Sequence, residues 1–349
     1  MFSSNRIKYI HYFSLFIILA GCLNLIGWQF DITILKSFSS EMTSMNPLTA
    51  ISFIASGIWL RLYKENSFHF ISISLGIFVL LIGLLHSLAY HFSLESLQFD
   101  HLLFSKKVDE SFINSHLAPT TAVLFLLSGT IMISSNTQIK WILNIRQLLS
   151  IIVFGVAYSS ILGYLYGRDS AYRVEGVSTI ALGTAILFLL LSASLFLCNI
   201  MHGLPKLFAS ILEGSSLLRR VSLFMLVFPP FLGYLRTVGE KSGLYSTEFG
   251  IELHTIIFTI VIFILVYFYA NLLNKKQIAS ILLETQLAES ESKFRKLVAS
   301  LREGVASIDY NGKVVYCNPS YCQILGYTEA ELVGSTVIEM IIPADRIAT

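Results

Sequence analysis

Charge is what this chain has least of. Only 13% of its 349 residues are Asp, Glu, Lys or Arg, about half the share found in soluble domains. Cysteine is scarce too. Cys22 and Cys198 fall in apolar runs, and Cys317 and Cys322 lie near the end of the chain. None sits where an extracellular disulfide framework would need it. The Cys317/Cys322 pair lacks CxxC spacing and a partner histidine, so ordinary packing is its expected role. Catalytic signatures are absent as well. There is no P-loop, no GGDEF or EAL run, no kinase phosphoacceptor box, no ATP-binding region and no nucleophile–base constellation. The chain therefore reads as no enzyme, with no metal set and no cofactor. An output domain is expected beyond Thr349 if the polypeptide is part of a longer protein. The net charge of +2 comes from basic residues scattered over short loops, which excludes a nucleic-acid-binding patch.

Long apolar runs fill the space that charge leaves. A membrane helix needs about 20 mainly apolar residues. Eight candidates are read, at 10–30, 47–63, 69–91, 116–135, 147–166, 177–199, 219–238 and 249–273. The first starts after Arg6 and Lys8, but its length and the lack of a small-x-small cleavage site mark a retained anchor. With the N-terminus inside, the inner segments hold 11 Lys and Arg and the outer ones 7. That bias and an even helix count place both termini in the cytoplasm. The expected fold class is thus a membrane all-α protein of about eight transmembrane helices, over residues 1–273.

The apolar part repeats itself. Pro47, Thr49, Ala50, Phe53 and Gly57 recur as Pro119, Thr121, Ala122, Phe125 and Gly129. A third copy keeps Thr184, Ala185 and Phe188 but has Leu182 for the proline and Ser192 for the glycine. Each copy opens a helix, with proline suited to the first turn and small residues suited to close packing. HTIIFTI at 254–260 reads as a decayed fourth copy. The simplest architecture is pseudo-repeated helical hairpins.

Polar groups near the outer helix ends are few. Arg236, Glu252 and His254 fall at the ends of the last two runs, and Arg168 and Asp169 follow the fifth. Charges beside an apolar layer need partners or water. Two readings stand: a salt bridge that locks helix ends, or a polar pocket open to the outside. Pro229–Pro230 marks a kink in the seventh run. His86 and His91 are five residues apart, which puts them on different helix faces. They read as packed or interfacial groups rather than as metal ligands.

Residues 274–303 change pattern. Leu283, Leu287, Ser290, Phe294, Leu297 and Leu301 step by fours and threes, as an a/d seam does. Either the seam pairs two chains in a homodimer, or it packs on the domain that follows. From residue 304, strand and turn signals alternate. Gly304 to Asp309 reads as a strand, and Gly312 falls in a hairpin turn. Asn318 is placed to cap a short helix. Gly326, Tyr327, Gly334, Pro343 and Asp345 complete the series.

That series over 304–349 resembles the start of a PAS domain, an α/β fold that would be truncated at Thr349, with most of its cofactor pocket missing. The segments ILGYLYGRDSAYRVEGVSTIALGTAILFLLL and FPPFLGYLRTVGEKSGLYSTEFGIELHTIIF, with the repeated helix starts, resemble a MASE-like multi-helix membrane sensor module. Such modules precede PAS domains, histidine kinases and diguanylate cyclases in bacteria. The resemblance implies sensing or membrane anchoring at the inner membrane, with the lipid bilayer and a second copy as partners. Internal repeats also suit a transporter, and a passive anchor is a third reading.

Overall fold

The computed structural model describes residues 2–39, 42–63, 68–93, 103–104, 117–166, 180–198, 203–210 and 212–336. They are mostly helical, with a small two-stranded sheet near the C-terminus. A helix occupies each of the eight apolar stretches. In order these are α1 (Phe2–Phe30), α3 (Pro47–Leu62), α4 (His69–His91), α5 (Pro119–Ile133), α6 (Lys140–Leu165), α7 (Leu182–Leu197), α9 (Glu213–Lys241) and α10 (Thr247–Ser300). Two short helices, α2 (Thr33–Lys36) and α8 (Gly203–Ala209), lie between them. Among the described residues, five helices are long and apolar enough to cross a membrane: α1, α4, α6, α9 and α10. The three repeat helices, α3, α5 and α7, are shorter, at 16, 15 and 16 residues.

The repeats explain the packing. Each repeat helix pairs with the long helix before it, giving hairpins α1/α3, α4/α5 and α6/α7. Missing side chains make the first two pairs close. A Cβ on Gly57 would stand 2.6 Å from Ile18 Cγ1, and one on Gly129 would stand 2.5 Å from the Leu80 nitrogen. Ser14 of α1 uses the first approach to donate its hydroxyl to the Gly57 carbonyl at 3.0 Å. The third hairpin has Ser192 in place of that glycine, the substitution seen in the sequence.

The three hairpins meet at their matched phenylalanines. Phe53, Phe125 and Phe188 are fully buried, with ring centroids 4.7–5.1 Å apart in all three pairs. Such tilted and edge-on pairs contribute about 0.5–1.5 kcal/mol each beyond area burial. The matched Ala50, Ala122 and Ala185 are fully buried too, and Thr49, Thr121 and Thr184 nearly so.

One cation serves the other end of this core. Arg146 of α6 is buried and donates to the carbonyls of Ser134 and Ser135, at 3.4 and 3.1 Å. Ser134 is the C-cap of α5. Helix C-termini carry partial negative charge, which a cation there offsets.

The last two long helices take no part in the phenylalanine core. α9 carries Pro229 and Pro230 inside the helix. A proline lacks the N–H that would bond the carbonyl four residues back, so Pro230 frees the Leu226 carbonyl. The Tyr158 hydroxyl of α6 donates to that oxygen at 2.5 Å, and Tyr166 donates to the Pro230 carbonyl at 3.3 Å. Helix α10 runs unbroken for 54 residues, so the change in sequence near Asn274 is no break in the helix. The contacts divide the chain into two compact units, residues 1–255 and 256–349.

In the second unit, β1 (Ala306–Ile308) pairs antiparallel with β2 (Val314–Cys317), and α11 (Pro319–Leu325) and α12 (Glu329–Leu332) follow. Val314, Cys317 and Leu332 form its small core.

Candidate functional site

The structure builds two polar junctions, one at the α9–α10 turn and one where α10 meets the sheet. At the first, Arg236 bonds Glu240 at 3.3 Å, one helical turn on. Glu240 also accepts from the Thr247 hydroxyl at 2.6 Å, and Tyr245 donates to the Arg236 carbonyl at 3.0 Å. The Tyr245 ring lies in a notch between Gly239 and Gly250. A Cβ on either would fall within 3 Å of it, at 2.3 and 2.9 Å. Arg236 Nε is buried, with no hydrogen-bond partner among the described residues. Glu252 is exposed and His254 half-buried on α10. Arg168 and Asp169 lie outside the described residues. The structure therefore joins Arg236 to Glu240, Tyr245 and Thr247. The Arg236–Glu240 pair went unread in the sequence, though its i,i+4 spacing carries it, whereas the glycine notch had no sequence signal.

Asn318 makes the second junction. Its side chain is fully buried and uses all four of its hydrogen-bonding positions. Nδ2 donates to the carbonyls of Val298 at 3.0 Å and Glu303 at 2.9 Å. Oδ1 accepts from the N–H groups of Val305 and Tyr321, both at 2.9 Å. One amide thus ties the end of α10, the segment before β1 and the first turn of α11. The Tyr321 bond is the cap read from sequence; the other three need tertiary structure. Gly304 lies beside this amide, where a Cβ would meet Tyr321 atoms at 3.0 and 3.1 Å.

Turn chemistry fixes the remaining motif residues. Asp309 accepts from the backbone of Asn311 and Lys313, both at 2.9 Å. Those bonds, the Lys313 one foremost, hold its carboxyl below the usual range. Gly312 and Gly326 adopt positive φ, 76° and 75°, as their turn and helix-end positions require. Gly334 donates to the Val314 carbonyl at 2.8 Å. Tyr327 is exposed. Thr328 gives its N–H and hydroxyl to Glu331 at 2.9 and 2.8 Å, which lowers the Glu331 pKa. This capping pair went unread in the sequence, though its T-x-x-E spacing carries it. Pro343 and Asp345 lie outside the described residues.

Reactive groups are not concentrated here. Cys317 and Cys322 place their sulfurs 3.6 Å apart. Burial, and then the bond to Cys322, push the Cys317 thiol up to about 11, so it stays protonated at neutral pH and a poor nucleophile. Among the described residues no group of three His, Cys, Asp or Glu is placed to hold a metal. His86 is buried, with Nδ1 3.3 Å from the Ile82 carbonyl of its own helix.

The seam residues share one condition. Leu283, Leu287, Phe294 and Leu297 of α10 are 65–70% exposed, and Leu301 just after it is 45% exposed. The pairs Glu289–Lys293 and Glu291–Arg295, at 2.8 and 2.9 Å, bridge successive turns of the same helix.

No curated protein and no solved structure matches the chain. Residues 292–349, from the last turns of α10 through the Asn318 junction, match the family model of the PAS fold, which points to a role in sensing a signal.

Proposed function

We propose that this chain is the membrane-embedded sensory and signal-transducing input region of a bacterial signalling protein of the sensor-kinase or cyclic-di-GMP-enzyme type. The output domain would follow the PAS start. Helices α1, α3, α4, α5, α6, α7, α9 and α10 cross the inner membrane as eight spans, with both termini in the cytoplasm. The carrying observation is the course of α10. It begins in apolar sequence, presents an unpartnered leucine seam and delivers its Val298 carbonyl to Asn318 at the head of the PAS match. A shift of this helix would pull on the amide that also holds β1 and α11.

The seam then pairs two copies. Exposed leucines and a phenylalanine at a/d spacing suit a parallel two-stranded contact. Cysteines at Leu287 and Leu297 are expected to crosslink between chains in membranes, and one at Glu289 much less. Equal crosslinking at all three, or none, excludes the paired helix. Deleting one residue near Ser280 turns every later position by about 100° and is expected to lock or abolish output. Deleting the heptad 281–287 nearly restores the facing and should largely keep it. Reporter fusions at Lys140 and Asn274 should read as cytoplasmic and one at Ser44 as periplasmic.

Transport is the rival that internal repeats raise. The matched repeat positions, however, meet at three buried rings, where a transporter would set its polar site. Flux through vesicles would support transport. Undiminished stimulus response after exchange for an unrelated anchor would reduce the membrane part to a passive scaffold.

A further inference from the structure

A cavity of about 160 Å³ lies between α1, α2 and the first turn of α7. That is the size of cavity that admits one benzene-sized molecule. Its wall is mainly apolar, with Phe16, Ile34, Phe38, Met45 and Ile186 among the lining side chains.

Two polar features lie in its wall. The first is Asn24, which is 4% exposed. Its Nδ2 donates to the carbonyls of Leu35 at 3.0 Å and Lys36 at 3.3 Å. Its Oδ1 is buried and accepts from none of the described residues. Flipping the amide would only set Oδ1 against two carbonyl oxygens, so the acceptor stays where it is. Buried acceptors are seldom left without a donor. The second feature is the start of α7. Leu182 and Gly183 line the cavity, and the first N–H groups of a helix have no intrahelical acceptor. The N-cap Ala181 offers no side-chain oxygen, unlike Asn46, which caps α3. Gly183 keeps the mouth of this turn open, with Met45 Cε 3.4 Å from where a Cβ would stand. Lys36, also in the wall, is neutralised by Asp31 and lies 4.9 Å over the Trp28 ring.

We propose that this cavity binds a small neutral hydroxyl compound with an apolar body, a phenol or an alcohol of similar size. Its O–H donates to Asn24 Oδ1, and its oxygen accepts from the first turn of α7. A hydrocarbon makes neither bond. A carboxylate would bring a charge that Lys36, already paired, does not balance and would present no donor to Asn24. The ligand bridges α1 and α7, members of the first and third hairpins. That occupancy alters output rests on the sensory reading above; binding itself does not.

The test uses the full chain in nanodiscs with 4-fluorophenol as probe and fluorobenzene as its hydrocarbon match, both followed by fluorine NMR. Empty nanodiscs set the baseline for partition into lipid. Saturable binding of 4-fluorophenol is expected, with fluorobenzene at least tenfold weaker. Asn24→Leu should bring the two probes to the same weak affinity. Gly183→Leu, which fills the cavity, should remove saturable binding of both. The comparison of two probes on the unsubstituted chain stands if either variant fails to fold. The proposal falls if neither probe saturates above empty nanodiscs, or if both bind the unsubstituted chain equally. It falls too if a structure solved at saturating 4-fluorophenol holds only a water on Asn24 Oδ1. Saturable binding that leaves the output of the full-length protein unchanged keeps the site and counts against the sensory reading instead.

Discussion

Phe53 in α3 and Phe263 in α10 both sit within apolar helices, yet the first is fully buried and the second 75% exposed. The difference lies in what surrounds each ring. Around Phe53 the repeat supplies small residues that let backbones approach, and two matched rings that fill the gap. Around Phe263 the neighbours are Ile260, Ile264 and Tyr267, each more than half exposed themselves. The described residues around that ring leave it uncovered. On our reading, lipid or a second copy covers it. Apolar character alone therefore does not make a core; matched small and large residues on facing helices do.

The strongest way to break this comparison is Phe125→Ala. Removing one ring from a fully buried cluster typically costs about 3–5 kcal/mol, whereas Phe263→Ala should stay within about 0.5 kcal/mol. Thermal unfolding of the two variants in detergent checks it, and similar losses would erase the distinction between the regions. Next comes Asn318→Ala, which asks whether a polar junction can matter as much as an apolar one. Each buried group left without a partner costs about 1–3 kcal/mol. Faster amide exchange is expected at Val305 and Tyr321, with α10 itself unchanged. Tyr158→Phe sharpens the contrast between α9 and the bundle. It withdraws the hydroxyl from the Leu226 carbonyl and should cost about 1 kcal/mol, read as a lower melting temperature.

Acid should act least, and its effect is expected in the segment that matches the PAS fold. The carboxyls of Asp309 and Glu331 titrate below their usual range because backbone N–H groups bond the charged form. Their contribution is complete above about pH 4.3 and is lost as pH falls through the lowered values. Protection of the Thr328 amide, measured against its intrinsic exchange rate, should fall as pH drops below about 4.3, and Glu331→Gln should flatten that fall. The phenylalanine cluster, having no titratable member, should not respond.

Much of this was legible in sequence, for reasons that differ by element. The apolar runs locate their helices because length and composition alone define them. The repeat exposes Phe53, Phe125 and Phe188 as equivalent positions, yet periodicity names a face and not the partner across it. Their meeting needed the structure. Asn318 shows its cap in the sequence because Tyr321 is three residues on. Its bonds to Val298 and Glu303 run 20 and 15 residues back, beyond any local pattern. The cavity beside Asn24 was hidden for the same reason, since α1 and the start of α7 are far apart in the chain. At the α9–α10 turn, charge near helix ends pointed to Arg236, but glycines decided its company.

Three rings in mutual contact form a triangle, and a triangle has a property that a pair lacks. Each side belongs to a different combination of hairpins. Drawing Phe188 away with α7 opens two sides and leaves Phe53–Phe125 closed; drawing Phe53 away with α3 opens a different two. The closed side names the hairpin that moved. One small hub can thus record which of three displacements has occurred, where a single contact records only whether one has.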